Sequence, residues 1–281
     1  MTFDNKRTFG VEIEFIGQNS QAITNSEINQ YLDRMGADFR MHTAYYSDSN
    51  SSIWRLKTDS SVGGMGGYGL EVVSPVLQGD KGYQDLMLVL DAINNTGAEV
   101  NRTCGLHIHV GVSDWRIKQF RNLYKRYAKF ERAIDSVMPN SRRGSNNNYC
   151  QSTVAEFSGI TLGQAFEVIN KCRTARDIER RIGTRYTKLN IQSFWKHGTV
   201  EFRHHSGTTD KDKIANWLKV CLSMVQAADT NRAVKVNRFD NIGEYRDKIS
   251  LMLKGLGQLE DTLIDATTKR FFTKRRKALC N

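Results

Sequence analysis

In Phe9-Gly10-Val11-Glu12-Ile13-Glu14-Phe15, apolar and acidic residues alternate without a break from Val11 onward. Successive side chains of a β-strand point to opposite faces. The run therefore predicts a strand over 8–16, with Val11, Ile13 and Phe15 packed inward and Glu12 and Glu14 side by side on the other face. The same device recurs in Gly105-Leu106-His107-Ile108-His109-Val110 and in Thr199-Val200-Glu201-Phe202-Arg203-His204. These predict strands over 104–112 and 198–205, with His107 and His109 sharing one face and Glu201 and Arg203 sharing another.

Three weaker strands complete the set. Residues 52–59 alternate Trp54, Leu56 and Thr58 with Arg55, Lys57 and Asp59; 69–74 carries Glu71 between Leu70 and Val72; 187–194 alternates Lys188, Asn190 and Gln192 with Leu189 and Ile191. A glycine-rich loop, 60–69, lacks the Lys-Ser/Thr ending of a P-loop and reads as a turn. Helical spacing predicts helices ending near Gly36, over 81–96, over 114–138, from Thr161 with a break before Arg173, and over 210–230, 241–254 and 258–279. The expected fold is α+β: a curved, mostly antiparallel six-stranded sheet with helices packed on one face. With no internal repeat and no Pro/Ser linker, a single domain over 1–281 is expected, with a core at 8–208 and a helical region at 209–281.

Composition narrows the partners. The 281 residues are 39% hydrophobic with two prolines, which suits a folded globule rather than a disordered chain. The net charge of +11 favours an anionic partner, such as nucleic acid or an acidic protein surface, or simply a solvated basic surface. Five cysteines without a CxxC pair argue against a disulfide framework and a zinc knuckle, so a cytoplasmic setting is expected. The polar start, Met1–Thr8, predicts no signal peptide, and no apolar run reaches membrane-spanning length. The basic residues Arg116, Lys118, Arg121, Lys125, Arg126, Lys129 and Arg132 alternate with a core-facing apolar set and are expected to face solvent. The C-terminal cations Lys269, Arg270, Lys274, Arg275, Arg276 and Lys277 read as a solvated helix face or frayed tail. With residues 139–150 they are candidate docks for a macromolecular substrate.

The chemistry lies in the shared register. Glu12, Glu14, Glu71 and Glu201 gathered on one face would repel one another, and a divalent cation removes that cost. Several carboxylates with an imidazole suit Mg²⁺ or Mn²⁺ better than zinc. Such ions can clamp a phosphoryl group, and the fork of Arg203 matches phosphate oxygens. Each piece alone has an ordinary explanation: a solvated strand edge for ExE, satisfied or exposed histidines for HxH, an ion pair for ExR, and surface charges for Lys57 and Asp59. Together and in register they point to a metal–phosphate site.

Six segments in order resemble the carboxylate–amine ligases of the glutamine synthetase superfold, most closely its compact amidoligases, with glutamate–cysteine ligases more distant. They are FGVEIEF (9–15), WRLKTDSS (54–61), GYGLEVVSP (67–75), CGLHIHVG (104–111), YTKLN (186–190) and GTVEFRHHSGT (198–208). The resemblance implies a glutamine synthetase-like catalytic core that uses ATP and two or three Mg²⁺ (or Mn²⁺) ions. An organic acid is activated as an acyl phosphate, and an amine then forms an amide or peptide bond. Carried over, Glu14 and Glu71 are ligands of one ion, completed by Asp59 or water, and Glu12, His107 and Glu201 are ligands of another. His109 lies nearby. Arg203 meets the γ-phosphate, and Lys57, Lys188 and Asn190 contact phosphate or carboxylate. Nothing in the sequence supplies an ammonia site, so the amine is expected on an amino acid, a lysine side chain, a polyamine or a base. Two other readings stay open: a metal-dependent phosphotransfer or hydrolytic enzyme acting on nucleic acid, and an inactive binding module on the same fold.

Overall fold

A computed structural model describes residues 6–45, 52–63, 66–230 and 233–280. Residues 1–5 of the polar N-terminus and 64–65 of the glycine-rich loop lie outside the described residues. The fold divides into two compact units, Met1–His109 with His205–Trp217, and Val110–His204 with Leu218–Asn281.

The first unit is organised around β1 (Phe9–Gly17). It pairs antiparallel with β4 (Tyr68–Val73), which pairs antiparallel with β3 (Trp54–Thr58). The register sets Ile13 beside Val72 and Val72 beside Leu56, all three with no exposed surface. Burying such side chains contributes about 1.5–3 kcal/mol each, and a slip by one residue would turn the whole row outward. The same register therefore commits the alternate row, Glu14 beside Glu71 beside Lys57, to the opposite face. A short strand, β2 (Met41–Thr43), runs parallel to β3, and the strand order in this unit ends on β5 (Gly105–Gly111): β2-β3-β4-β1-β5. Helices α1 (Gln21–Arg34) and α2 (Gly79–Asn95) pack together, with Ile28, Leu32, Leu86, Val89 and Leu90 fully buried.

Gly69 decides where Asp59 sits. A Cβ there would meet the carbonyl oxygens of Asp59 and Val62 at 2.3 Å, so only glycine lets that turn close on β4. The turn is fastened by the Asp59 N–H donating to the Gly69 carbonyl at 2.9 Å.

In the second unit, α3 (Ile117–Asp135) buries Phe120, Leu123, Tyr127 and Ile134 along one face. Thr161 caps α4 (Leu162–Lys171) through a reciprocal bond with Gln164, and Thr174 caps α5 (Ala175–Ile182) in the same way. Strand β6 (Leu189–Asn190) pairs antiparallel with β7 (Thr199–Ser206); between them lies α6 (Ser193–His197). The last helices are α7 (Lys211–Asp229), α8 (Ile249–Leu256) and α9 (Ala266–Cys280).

Several expectations are corrected here. Seven strands occur among the described residues rather than six, and the pairing is mixed because β2 lies parallel to β3. At three residues β2 is too short to show an alternation in sequence. The strand expected over 187–194 shrinks to two residues, since Ser193 already begins α6. The helices expected over 241–254 and 258–279 begin later, at Ile249 and Ala266.

The basic face of α3 is not simply solvated. Arg121 donates to the Cys172 carbonyl at 2.7 Å, Arg126 to Ala227 at 3.4 Å and Lys129 to Lys235 at 2.7 Å, and all three are half-buried. Nor is the C-terminal stretch frayed: α9 buries Phe272, and Arg275 donates to the Val137 carbonyl at 2.6 Å. Four of the five cysteines are buried thiols; Cys280 is exposed. Among the described residues no helix is long and apolar enough to cross a membrane.

Candidate active site

The acid-and-imidazole face of the first unit gathers side chains from four strands or their ends: Glu12 and Glu14 on β1, Asp59 just beyond β3, Glu71 on β4, and His107 and His109 on β5. Glu14, Asp59 and Glu71 each bring a carboxylate oxygen within 4.8 Å of the others, and Glu12, Glu71 and His107 form a second such trio. His107 Nδ1 lies 2.9 Å from Glu12 Oε2 and its Nε2 lies 3.7 Å from Glu14 Oε1, so one ring spans both acids of the opening strand. His109 Nε2 is 3.3 Å from the other oxygen of Glu12. Glu14 also accepts the Gly105 N–H at 2.6 Å, and Asp59 accepts the Ser61 N–H at 2.8 Å and its hydroxyl at 2.7 Å.

The two edges of this face differ electrically. Burial opposes ionisation of Glu12, but hydrogen bonds and positive charge from His107 and His109 outweigh it and hold the carboxyl well below the usual range. Glu71 goes the other way. Burial, then the charges of Glu12, Glu14 and Asp59, push its carboxyl well above the usual range, and Lys57 offsets only part of that. A face with more negative charge than its own cations neutralise is suited to a bound divalent ion. The donor set fits: carboxylate oxygens with one imidazole, on adjacent strands whose core rows fix their spacing.

The second unit carries the other predicted residues. Arg203 Nη1 lies 2.5 Å from Glu201 Oε1, and its Nε donates to the Tyr149 carbonyl at 3.3 Å. Asn190 donates its side-chain amide to Glu201 Oε2 at 2.6 Å, so Glu201 is held from both sides. The Lys188 side chain pairs elsewhere than strand alternation predicted, although its carbonyl accepts the Arg203 N–H at 2.8 Å. It is fully buried and its ammonium is paired with Asp135 and Glu131 of α3. That placement corrects the expectation of a phosphate-facing lysine: two buried carboxylates outweigh the alternation of a strand only two residues long.

Around Lys188 lies a network that the sequence reading missed. Tyr127 OH is 2.7 Å from His204 Nδ1, and His204 Nε2 is 2.7 Å from Asp135 Oδ1. The second oxygen of Asp135 accepts from Arg132 and from the Gly144 N–H, each at 3.1 Å. Glu131 accepts the Ser152 hydroxyl and the Thr153 N–H. Burial opposes charge on Asp135, but His204 and Lys188 hold its carboxyl far below the ordinary range. Burial and the Lys188 charge lower His204 to about 4. A signal was present in the sequence: Tyr127, Glu131 and Asp135 recur every four residues within the apolar face of α3.

Residues 5–225 match the model of the family described as "Putative amidoligase enzyme", and the chain belongs to that family. No curated protein matches the sequence. Among solved structures, the chain is similar to a bifunctional glutathione synthetase from Pasteurella multocida, at 10% identity and a TM-score of 0.48. The match covers 98% of this chain and 47% of that one, so the chain spans about half its length.

Proposed function

We propose that the protein is an ATP-dependent carboxylate–amine ligase. The observation that carries this reading is the crowded carboxylate–imidazole face on β1, β3, β4 and β5, in a chain of the amidoligase family. In this proposal Glu14, Asp59 and Glu71 hold one Mg²⁺ or Mn²⁺ ion, and Glu12 and His107 hold another. Bound divalent ions draw charge from the oxygens of a transferring phosphoryl group. Arg203 supplies a preformed fork for the terminal phosphate, and its bonds to Glu201 and Tyr149 restrict that fork before substrate arrives. Asn190 orients Glu201. Lys57, in register with Glu71, favours the ionised form of that carboxylate against the repulsion of its acidic neighbours. His109 holds the second oxygen of Glu12. The reaction transfers the terminal phosphoryl group of ATP to an organic acid, releasing ADP; an amine then displaces inorganic phosphate and leaves an amide.

The test supplies Mg²⁺, ATP, a panel of carboxylates, and hydroxylamine as a general amine. The expected result is ADP release with hydroxamate formation. Both should fall by roughly 10²–10³-fold in Glu12→Ala and Arg203→Ala proteins, the scale of losing a preorganised charge-stabilising group. Variants that turn over as well as the parent would overturn the reading. The nucleic-acid alternative draws little from α3, where Arg121, Arg126 and Lys129 are half-buried and donate to backbone carbonyls.

A further inference from the structure

The buried network of α3 ends on both backbone segments that frame Arg203. Asp135 Oδ1 receives Lys188 Nζ and His204 Nε2, and Tyr127 fixes the far nitrogen of the same imidazole. His204 adjoins Arg203 in the chain, and the Lys188 carbonyl accepts the Arg203 N–H at 2.8 Å. The Arg203 carbonyl accepts the thiol of the fully buried Cys150 at 3.2 Å. One carboxylate thus ties down the residue after Arg203 and the residue hydrogen-bonded across from it.

We propose that Asp135 is a positioning residue for Arg203, acting through Lys188 and His204. The proposal rests on the reading of Arg203 as the phosphate contact. An apolar core could hold β7 in place with less desolvation cost than a buried Lys–Asp–His cluster. What the cluster adds is direction: each bond has one donor and one acceptor, so a shift of the strand leaves a buried charge unmet. A guanidinium that must meet a phosphate bidentately gains from that restriction, since a displacement of about 1 Å can cost 10²-fold in rate.

The experiment compares parent, Asp135→Asn, Tyr127→Phe, Arg203→Ala and the Asp135→Asn/Arg203→Ala double variant. The first readout is the Arg203 side-chain Nε–H resonance, assigned by its loss in Arg203→Ala and followed by solvent exchange in the metal-free protein. Protection is expected in the parent and reduced in Asp135→Asn, with a smaller reduction in Tyr127→Phe. The second is ADP release with Mg²⁺ and ATP, measured well below each melting temperature. A kcat loss of roughly ten- to a hundredfold in Asp135→Asn is expected, with the ATP KM changed less than about threefold. The double variant should be no slower than Arg203→Ala alone, because Asp135 acts through that arginine. Unchanged Arg203 exchange in both single variants, or fully additive rate losses, would overturn the proposal. If Asp135→Asn fails to fold, Tyr127→Phe decides on the same resonance. A parent protein without ATP turnover would sink the ligase reading, while the exchange result would still decide whether Asp135 positions Arg203.

Discussion

Two groups of carboxylates in this molecule have been treated in opposite ways. In the second unit, Glu131 and Asp135 are buried, and Lys188, His204, Arg132, Ser152 and backbone N–H groups meet their oxygens. On the face of the first unit, Glu12, Glu14, Asp59 and Glu71 crowd together, and Glu71 is pushed toward its neutral form. The first arrangement is internally neutralised and serves the fold. The second keeps unfavourable charge together where residues of the strand could have been chosen otherwise. That contrast, rather than the count of acids, distinguishes a structural network from a site suited to a cation.

The largest loss is expected at Lys188. Replacing it with Met leaves two buried carboxylates without their main cation and should cost about 3–5 kcal/mol, read as a lower urea midpoint. A loss below about 1 kcal/mol would show that the second cluster is not internally neutralised as described. At the first cluster the sign reverses. Glu71→Gln should raise the stability of the metal-free protein by relieving repulsion, yet abolish the stabilisation expected from Mn²⁺ in the parent. That stabilisation should reach about 2.7 kcal/mol at a hundredfold excess over Kd. Thermal melts with and without Mn²⁺, after chelation, decide both halves.

Acid gives a third test. His204 is lowered from its ordinary 6.5 to about 4, so the unfolded chain binds a proton in that interval which the folded protein refuses. The His204 contribution is complete above pH 6.5 and is lost as pH falls toward 4, at up to about 1.4 kcal/mol per pH unit. Below that interval Asp135, held low by its partners, adds a further loss as it protonates. Urea midpoints between pH 7 and 4 should show the slope, and His204→Phe should flatten its upper part. The smallest effect is expected at the exposed pair Arg276–Asp247, 2.6 Å apart on the surface. Arg276→Ala should cost less than about 1 kcal/mol, and less again in high salt.

Local sequence was most informative where alternation ran for several residues with a committed core row. In β1, the apolar set Val11, Ile13 and Phe15 left Glu12 and Glu14 a single face to occupy, and the pairing with β4 follows the same logic. Capping chemistry at Thr161 marked the start of α4 because the Thr–Gln exchange is local. Legibility failed where partners came from far along the chain. Lys188 reads as one tooth of an alternating strand until Glu131 and Asp135 arrive from a helix more than fifty residues earlier. The cations of α3 read as a solvated face until the carbonyls of Cys172, Ala227 and Lys235 are brought to them.

From sequence alone the two faces of β1 and β4, and the chemical types on them, were already decided, because a two-residue period and the burial of apolar side chains leave one solution there. Tertiary structure alone decided which charges are cancelled and which are left for a partner. Compensation depends on distances of a few ångströms between residues that no local pattern relates, as Asp135 with His204 and Glu14 with Glu71 both demonstrate.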